Sequence, residues 1–194
     1  LACDLVFEDG DPAAAGARAR AALADAPLDL AVQPAEGRLK RLLVADMEST
    51  IIEQEMLDEL AVYLGLREEM AEITARSMAG ELDFEDSLRT RVAWLRDLPL
   101  ERLEEAAERM TFMPGARELI ATLRAKGCVT ALVSGGFTCF AELVAEACGF
   151  DRVQANRLID SGGRLTGEVA EPILGRDAKL TALRATAAEI GCGP

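Results

Sequence analysis

Two acidic residues two positions apart, Asp46 and Glu48, stand directly after a run of four apolar residues, Leu42–Ala45. Such a run is the pattern of a strand buried on both faces of a parallel sheet. In open α/β sheets ligands sit beyond the carboxyl ends of the strands. Carboxylates placed there are positioned to act as nucleophile, as acid or base, or as ligands of a hard cation. Taken alone the pair is a weak signal, because acidic residues after a strand are more often a solvated turn or a helix cap. Further residues add to it. Ser134-Gly135-Gly136 follows a second apolar run, Cys128 to Val133, and by itself reads as a bare loop. Lys179, in Gly175-Arg176-Asp177-Ala178-Lys179, opens a late helix, where lysines are commonly solvated. Glu55, Met78, Phe84 and Arg91 lie in a helical stretch between the two strands. There the charges can be ordinary helix surface, and Met and Phe plain core.

The elements that must position these residues follow from periodicity. From Glu53 to Met110 apolar residues recur at helical spacing (Met56, Leu57, Leu60, Leu64, then Phe84 to Leu95 and Leu100 to Met110) with no strand signal between them. Pro114 favours a helix start and Gly127 a stop, which frames a helix through Leu119 and Leu123. A helix to Cys148 follows Ser134-Gly135-Gly136. Val153 to Ile159 and Arg164 to Val169 flank Asp160-Ser161-Gly162-Gly163, a hairpin signal, and a last helix is expected from about Asp177 to Ile190. Strand, helices, strand, helix and strand predict an α/β fold: a Rossmann-like parallel sheet with right-handed crossovers and a helical insertion after the first strand. Before it, Leu5 to Phe7, Ala13 to Ala24 and Leu28 to Val32 suggest part of a small α/β unit, and Pro34 to Gly37 a linker. The expected division is residues 1–37 as that segment and linker, 38–52 with 111–194 as the core, and 53–110 as a helical cap.

Composition bounds the function. Lys and Arg total 21 against 34 Asp and Glu, a net charge of −13, which repels a phosphate backbone and excludes nucleic acid as a partner. An anionic substrate must then be held by a few placed cations, a metal and backbone N–H groups. No apolar run reaches the roughly 18 residues of a membrane-spanning helix, so no membrane partner is expected. The five cysteines are odd in number and show no C-x-x-C spacing, which fits a reducing cytoplasm better than a disulfide framework or a zinc site. The chain opens on Leu1 without a legible signal peptide, and its biological start is expected upstream. The sequence leaves a homodimer open.

Taken in order, D-x-[DE]-S-T at Asp46 to Thr50, S-G-G at Ser134 to Gly136 and the Lys179 of G-R-D-A-K resemble the first three motifs of the haloacid dehalogenase superfamily. Glu55, Met78, Phe84 and Arg91 fall where phosphoserine phosphatases of that superfamily carry substrate-contacting residues. The resemblance covers residues 38 to 194. It implies magnesium-dependent hydrolysis of O-phospho-L-serine, as in serine biosynthesis, through a phosphorylated aspartate. Asp46 would be the nucleophile, Glu48 the general acid and then base, and Lys179 the cation that neutralises the phosphoryl group. Ser134 and the Gly135 N–H would hold phosphoryl oxygens. Glu55 and Arg91 would read the ammonium and carboxylate of the amino-acid end, with Met78 and Phe84 helping the cap close.

Asp46 and the backbone carbonyl of Glu48 would be Mg2+ ligands. Family members normally carry Asp where this chain has Glu48, and the extra methylene moves the acid group about one bond further out. The superfamily's fourth motif, G-D-G-x-N-D, brings another acidic magnesium ligand after a further strand. No such segment is met before Gly191-Cys192-Gly193-Pro194. The expectation is therefore a core incomplete at its carboxyl end, with Leu42–Ala45 as an edge strand covered by another molecule or by a continuation of the chain. A phosphatase for another small phosphomonoester, and a non-catalytic protein that binds phosphorylated ligands, stand as alternatives.

Overall fold

The computed structural model describes residues 3–8, 10–24, 26–175 and 177–193. It separates into two compact units on either side of the Lys40–Arg41 boundary. In the first, Asp11 caps helix α1 (Pro12–Ala22) by accepting hydrogen bonds from the N–H groups of Ala13 and Ala14, both at 3.1 Å, and Pro12 occupies the first turn. Among the described residues, Leu5 to Phe7 and Leu28 to Val32, where an α/β unit was expected, form no strand. An extended segment needs a paired neighbour to satisfy its backbone, and Leu5, Val6 and Leu28 are exposed.

In the second unit, β1 (Leu42–Ala45), β2 (Val129–Phe137) and β3 (Arg152–Asn156) form a parallel sheet in that order. This is the α/β architecture the patterning predicts. β2 is central, and its alternation divides the interior. Leu132 enters the main core with Ile120 of α6 (Ala116–Ala125) and Phe140 and Val144 of α7 (Thr138–Cys148). Ala131 and Val133 face the other way and pack with Val44 against Ala178 and Ala182 of α8 (Ala178–Glu189). Small residues on both sides let α8 lie close to the strands. Arg41 holds the far end of α8 by donating to the carbonyls of Ile190 (2.9 Å) and Gly191 (3.2 Å), as suits a cation at a helix C-terminus. β1 is paired on one side only among the described residues. A groove of about 360 Å³, lined in part by Leu43, Ala45, Asp46, Met113 and Leu119, opens beside it.

The helical insertion leaves and rejoins the sheet through a hydrogen-bonded neck. Ile52 and Phe112 form an antiparallel bridge, Glu53 N–H donates to Thr111 O and Met113 N–H to Ile51 O, both at 2.9 Å. Beyond it lie α2 (Met56–Ala61), a 3-10 turn (Val62–Leu64), α3 (Arg67–Met78), α4 (Phe84–Ala93) and α5 (Glu101–Glu108). Their buried residues, including Met70, Leu88 and Val92, belong to the same apolar cluster as Leu132 and Phe137.

Two expectations change. The strand read as Val153 to Ile159 is two elements in different sheets: β3 stays in the parallel sheet, whereas β4 (Leu158–Ser161) pairs with β5 (Arg164–Val169) as a separate hairpin. The segment Val153 to Ile159 contains no glycine or proline to reveal where the chain turns from one sheet to another. The hairpin is also fastened to the end of the insertion, through Asp97 N–H to Leu165 O (2.9 Å), Leu165 N–H to Leu98 O (2.9 Å) and Arg164 Nη1 to Asp97 O (2.6 Å). The structure thus joins to 53–110 a segment that the sequence reading assigned to the core.

Leu132 is fully buried in the central strand. Leu132→Ala is expected to lower unfolding free energy by about 2–5 kcal/mol, read from urea denaturation.

Candidate active site

β1 delivers Asp46 to the carboxyl end of the sheet. The next residue, Met47, is fully buried, and its carbonyl accepts hydrogen bonds from the N–H groups of Thr50 (3.3 Å), Ile51 (2.8 Å) and Ile52 (3.0 Å). The turn so closed forces Ser49 to a left-handed φ of 51°, uncommon for a residue with a Cβ. Met47 is directed into the core, and Asp46 before it stays at the carboxyl end of the sheet. Asp46 Oδ1 accepts from Met47 N–H at 2.9 Å, and Oδ2 meets Lys179 Nζ at 2.6 Å. The nucleophile and cation expected from sequence are therefore in direct contact across 133 residues of chain.

Glu48 is held between two elements. Its Oε1 accepts the N–H of Met56, the first residue of α2, at 2.8 Å. Its Oε2 lies against Gly136, where a Cβ would come within 2.7 Å of that oxygen. The residue keeps some accessible surface, but its carboxyl is walled in. Burial above all, with the nearby charge of Glu55 and a smaller push from Asp46, raises its pKa to about 8, although the Met56 N–H opposes the shift. A carboxyl in this state carries its proton at neutral pH. Glu55 accepts from Ser49 Oγ at 2.7 Å, and burial raises its pKa as well.

β2 brings Ser134 and Gly135 to the same end of the sheet. Here the apolar run continues as extended backbone through Phe137 rather than ending at Val133, with a shift of register against β3 between Val133 and Phe137. Ser134 is buried, and its Oγ accepts from Gly136 N–H at 2.9 Å. That leaves the hydroxyl proton to be donated elsewhere. The Gly135 carbonyl accepts from Asn156 Nδ2 at 2.8 Å, and Asn156 Oδ1 accepts from Leu174 N–H at 2.7 Å. Asn156, 2% exposed, ties the loop of Ser134 to the segment leading to Lys179. The sequence reading missed it. The available signal was its position, a polar residue at the carboxyl end of the third parallel strand, as Asp46 and Ser134 are beyond or within theirs.

The insertion contributes Arg91 and Phe84 from α4. Asp83 caps this helix by accepting from Glu85 and Asp86 N–H, and Phe84 at its start lays its ring over Gly135 and Gly175. A Cβ on Gly135 would stand 3.0 Å from Phe84 Cζ, so a side chain there would press on the ring. Arg91 is buried seven residues on, with Glu48, Glu55 and Asp58 as the carboxylates whose charges act on it; burial lowers its pKa despite them. Met78 does not join this group. It is 70% exposed at the last position of α3, one turn beyond the buried Thr74 and on much the same side of the helix, so its exposure comes from its place at the helix end and not from a different face.

A hard cation implied by the resemblance can be tested against these atoms. The Asp46 carboxylate and the Glu48 carbonyl are oxygen donors of the right type, and magnesium commonly takes its remaining ligands from phosphate and water. Among the described residues no group of three or more His, Cys, Asp or Glu side chains converges to hold a metal. The residues present fit part of a magnesium shell, with Asp46 shared between that role and Lys179.

The arrangement matches known proteins. A family model for haloacid dehalogenase-like hydrolases matches residues 43–193. The phosphoserine phosphatase of Methanocaldococcus jannaschii is 44% identical over 140 residues, 72% of this chain and 66% of that protein. A solved structure described as a phospho-aspartyl intermediate analogue of phosphoserine phosphatase is 42% identical, with a TM-score of 0.76 over 79% of this chain and 74% of the other. A substrate-bound phosphoserine phosphatase complex has the same TM-score of 0.76 and 42% identity, covering 79% and 73%. The chain spans 43% to 66% of the length of the first curated relatives it matches.

Gly136→Ala would put a methyl group 2.7 Å from Glu48 Oε2 and 3.0 Å from Met47 Cε. The Glu48 carboxyl should be displaced toward solvent and its pKa should fall from about 8 toward the ordinary carboxylate range, read by NMR titration of the labelled side chain.

Proposed function

The chain belongs to the haloacid dehalogenase-like hydrolase family, and we propose that it hydrolyses O-phospho-L-serine to L-serine and phosphate in the cytoplasm, as a step of serine biosynthesis. The observation that carries this reading is the contact of Asp46 with Lys179 beside a Glu48 that keeps its proton. The relatives and neighbours that bear the name phosphoserine phosphatase support the choice of substrate.

The chemistry divides between three side chains. Asp46, ionised and steadied by the Met47 N–H, attacks phosphorus and forms an aspartyl phosphate, which splits one hydrolysis into two displacements. Glu48 gives its proton to the departing serine oxygen. The resulting carboxylate then takes a proton from the water that releases phosphate. Lys179 offsets the repulsion between the Asp46 carboxylate and the incoming dianion. Ser134 Oγ, having accepted from Gly136, donates to a phosphoryl oxygen, as does the Gly135 N–H. Magnesium held by Asp46 and the Glu48 carbonyl supplies further positive charge to the phosphoryl group when bound.

Specificity comes from the insertion. Glu55 faces the substrate ammonium and Arg91 its carboxylate, while the Phe84 ring covers the phosphate loop and excludes water. Within a chain of net charge −13, an anion is drawn to this place because Lys179 and Arg91 are held there among carboxylates.

Asp46→Asn should abolish phosphate release, since a carboxamide is neither a nucleophile nor an anionic ligand. Turnover near the parent rate in a phosphate-release assay would overturn the mechanism. The raised Glu48 pKa also sets a pH limb. Because the protonated form is the acid, kcat should be maintained below about 8 and fall as pH rises through about 8. A kcat profile that stays flat through that range would exclude Glu48 as the acid.

A further inference from the structure

The phosphoryl chemistry leaves two polar residues of the insertion unused, Asp58 on α2 and Thr74 on α3. Thr74 is buried, and its Oγ1 lies 3.0 Å from Asp58 Oδ1, 3.0 Å from the Met70 carbonyl and 3.0 Å from Arg91 Nη1. The direction of these bonds is fixed by chemistry. A guanidinium only donates, so Thr74 accepts from Arg91, and its single proton goes to one of the two remaining acceptors. The carboxylate is the stronger. A relay therefore runs from Arg91 through Thr74 to Asp58, across three separate helices.

The relay constrains Arg91 in two ways. Nη1 is held by Thr74 and Nε by the Ser87 carbonyl at 3.3 Å, so the plane of the guanidinium is set, and Nη2 has no hydrogen-bond partner among the described residues. A planar fork of donors suits a carboxylate, and only in that plane. The second effect is on charge. Glu48, Glu55 and Asp58 all act on Arg91. A direct ion pair with any of them would satisfy the guanidinium and consume the charge a ligand needs. Thr74 places a neutral hydroxyl between Arg91 and Asp58, which compensates the buried cation without neutralising it in contact.

We propose that Asp58 and Thr74 are positioning residues that hold the Arg91 guanidinium in the plane of a substrate carboxylate, and so set the preference for amino-acid phosphates over phosphomonoesters without a carboxylate. The inference rests on the substrate reading given above. It extends that reading to residues that touch no substrate.

The test compares kcat/KM for O-phosphoserine with kcat/KM for an aryl phosphate in the intact protein. Thr74→Val, which keeps the shape and removes the hydroxyl, should lower this ratio about tenfold, through KM for phosphoserine rather than kcat. Thr74→Ser should restore it. In an Arg91→Ala background Thr74→Val should change the ratio by less than about twofold, since the two act as one unit. Equal losses on both substrates, or a Thr74→Ser variant as impaired as the valine, would reduce Thr74 to a packing residue and overturn the proposal. Should the valine variant not fold, Asp58→Asn reads the same ratio, and an unchanged value overturns the proposal equally. A parent protein with no preference for phosphoserine would bring down the substrate reading and this inference together, whereas an unaltered ratio in the variants of a selective parent defeats the inference alone.

Discussion

The contact between Asp46 and Lys179 is the constraint to which the rest of the second unit answers. Two side chains far apart in sequence meet only if β1 and α8 lie at a fixed depth relative to one another. The residues between them are small for that reason: Ala178 and Ala182 on the helix face Val44, Ala131 and Val133 on the strands. A larger side chain on that face would lift α8 from the sheet and draw the ammonium away from the carboxylate. Arg41, at the start of β1, fastens the opposite end of the same helix. The chemistry at one end of α8 thus depends on packing along its length and on a cap at its far end.

Electrostatics in the site are a balance between unlike neighbours. The charges of Asp46 and Glu55 disfavour ionisation of Glu48, that of Asp46 also disfavours ionisation of Glu55, and Arg91 opposes both effects, while Lys179 pairs with Asp46. The balance is uneven by design of the surroundings: Lys179 touches Asp46 directly, whereas Arg91 meets its carboxylates at a remove. One carboxyl is therefore in contact with a cation, and its near neighbour is left protonated at neutral pH. Two carboxyl groups of almost the same intrinsic acidity are thereby set apart, as the proposed nucleophile and acid require.

Much of this was legible in the sequence because it rests on local patterns. The apolar run before Asp46, the serine and glycines after the second run, and the helical spacing from 53 to 110 fixed the fold class and the elements that carry Asp46, Ser134 and Arg91. What the sequence concealed were relations between distant residues. Asn156 looks like any asparagine in a strand, and only its bonds to Gly135 and Leu174 mark it as a brace. Thr74 reads as a helix residue of indifferent propensity until Asp58 and Arg91 come within reach. The separation of β3 from β4 turned on one residue, Arg157, where the chain passes from one sheet to another with no glycine or proline to mark the change. Met78 shows the opposite error. A residue of suitable type at a suitable place in the chain lies exposed at the last position of α3, one turn past the buried Thr74, because the neighbours of a helix and not its own periodicity decide where its burial stops.

The neck formed by Ile52 and Phe112 has a consequence for how such proteins diversify. Because the insertion enters and leaves through adjacent, hydrogen-bonded residues, its ends are held together whatever lies between them. The backbone of the sheet is joined to the insertion through that pair and the bonds beside it. A lineage can lengthen, shorten or exchange the intervening helices without altering the path of the strands, so selection on what is recognised can proceed with little cost to how it is cleaved. Interchangeability ends at the places where the two halves touch. Phe84 against Gly135 and the hairpin against Asp97 are where an exchanged insertion must still fit, and they mark the positions that must change together.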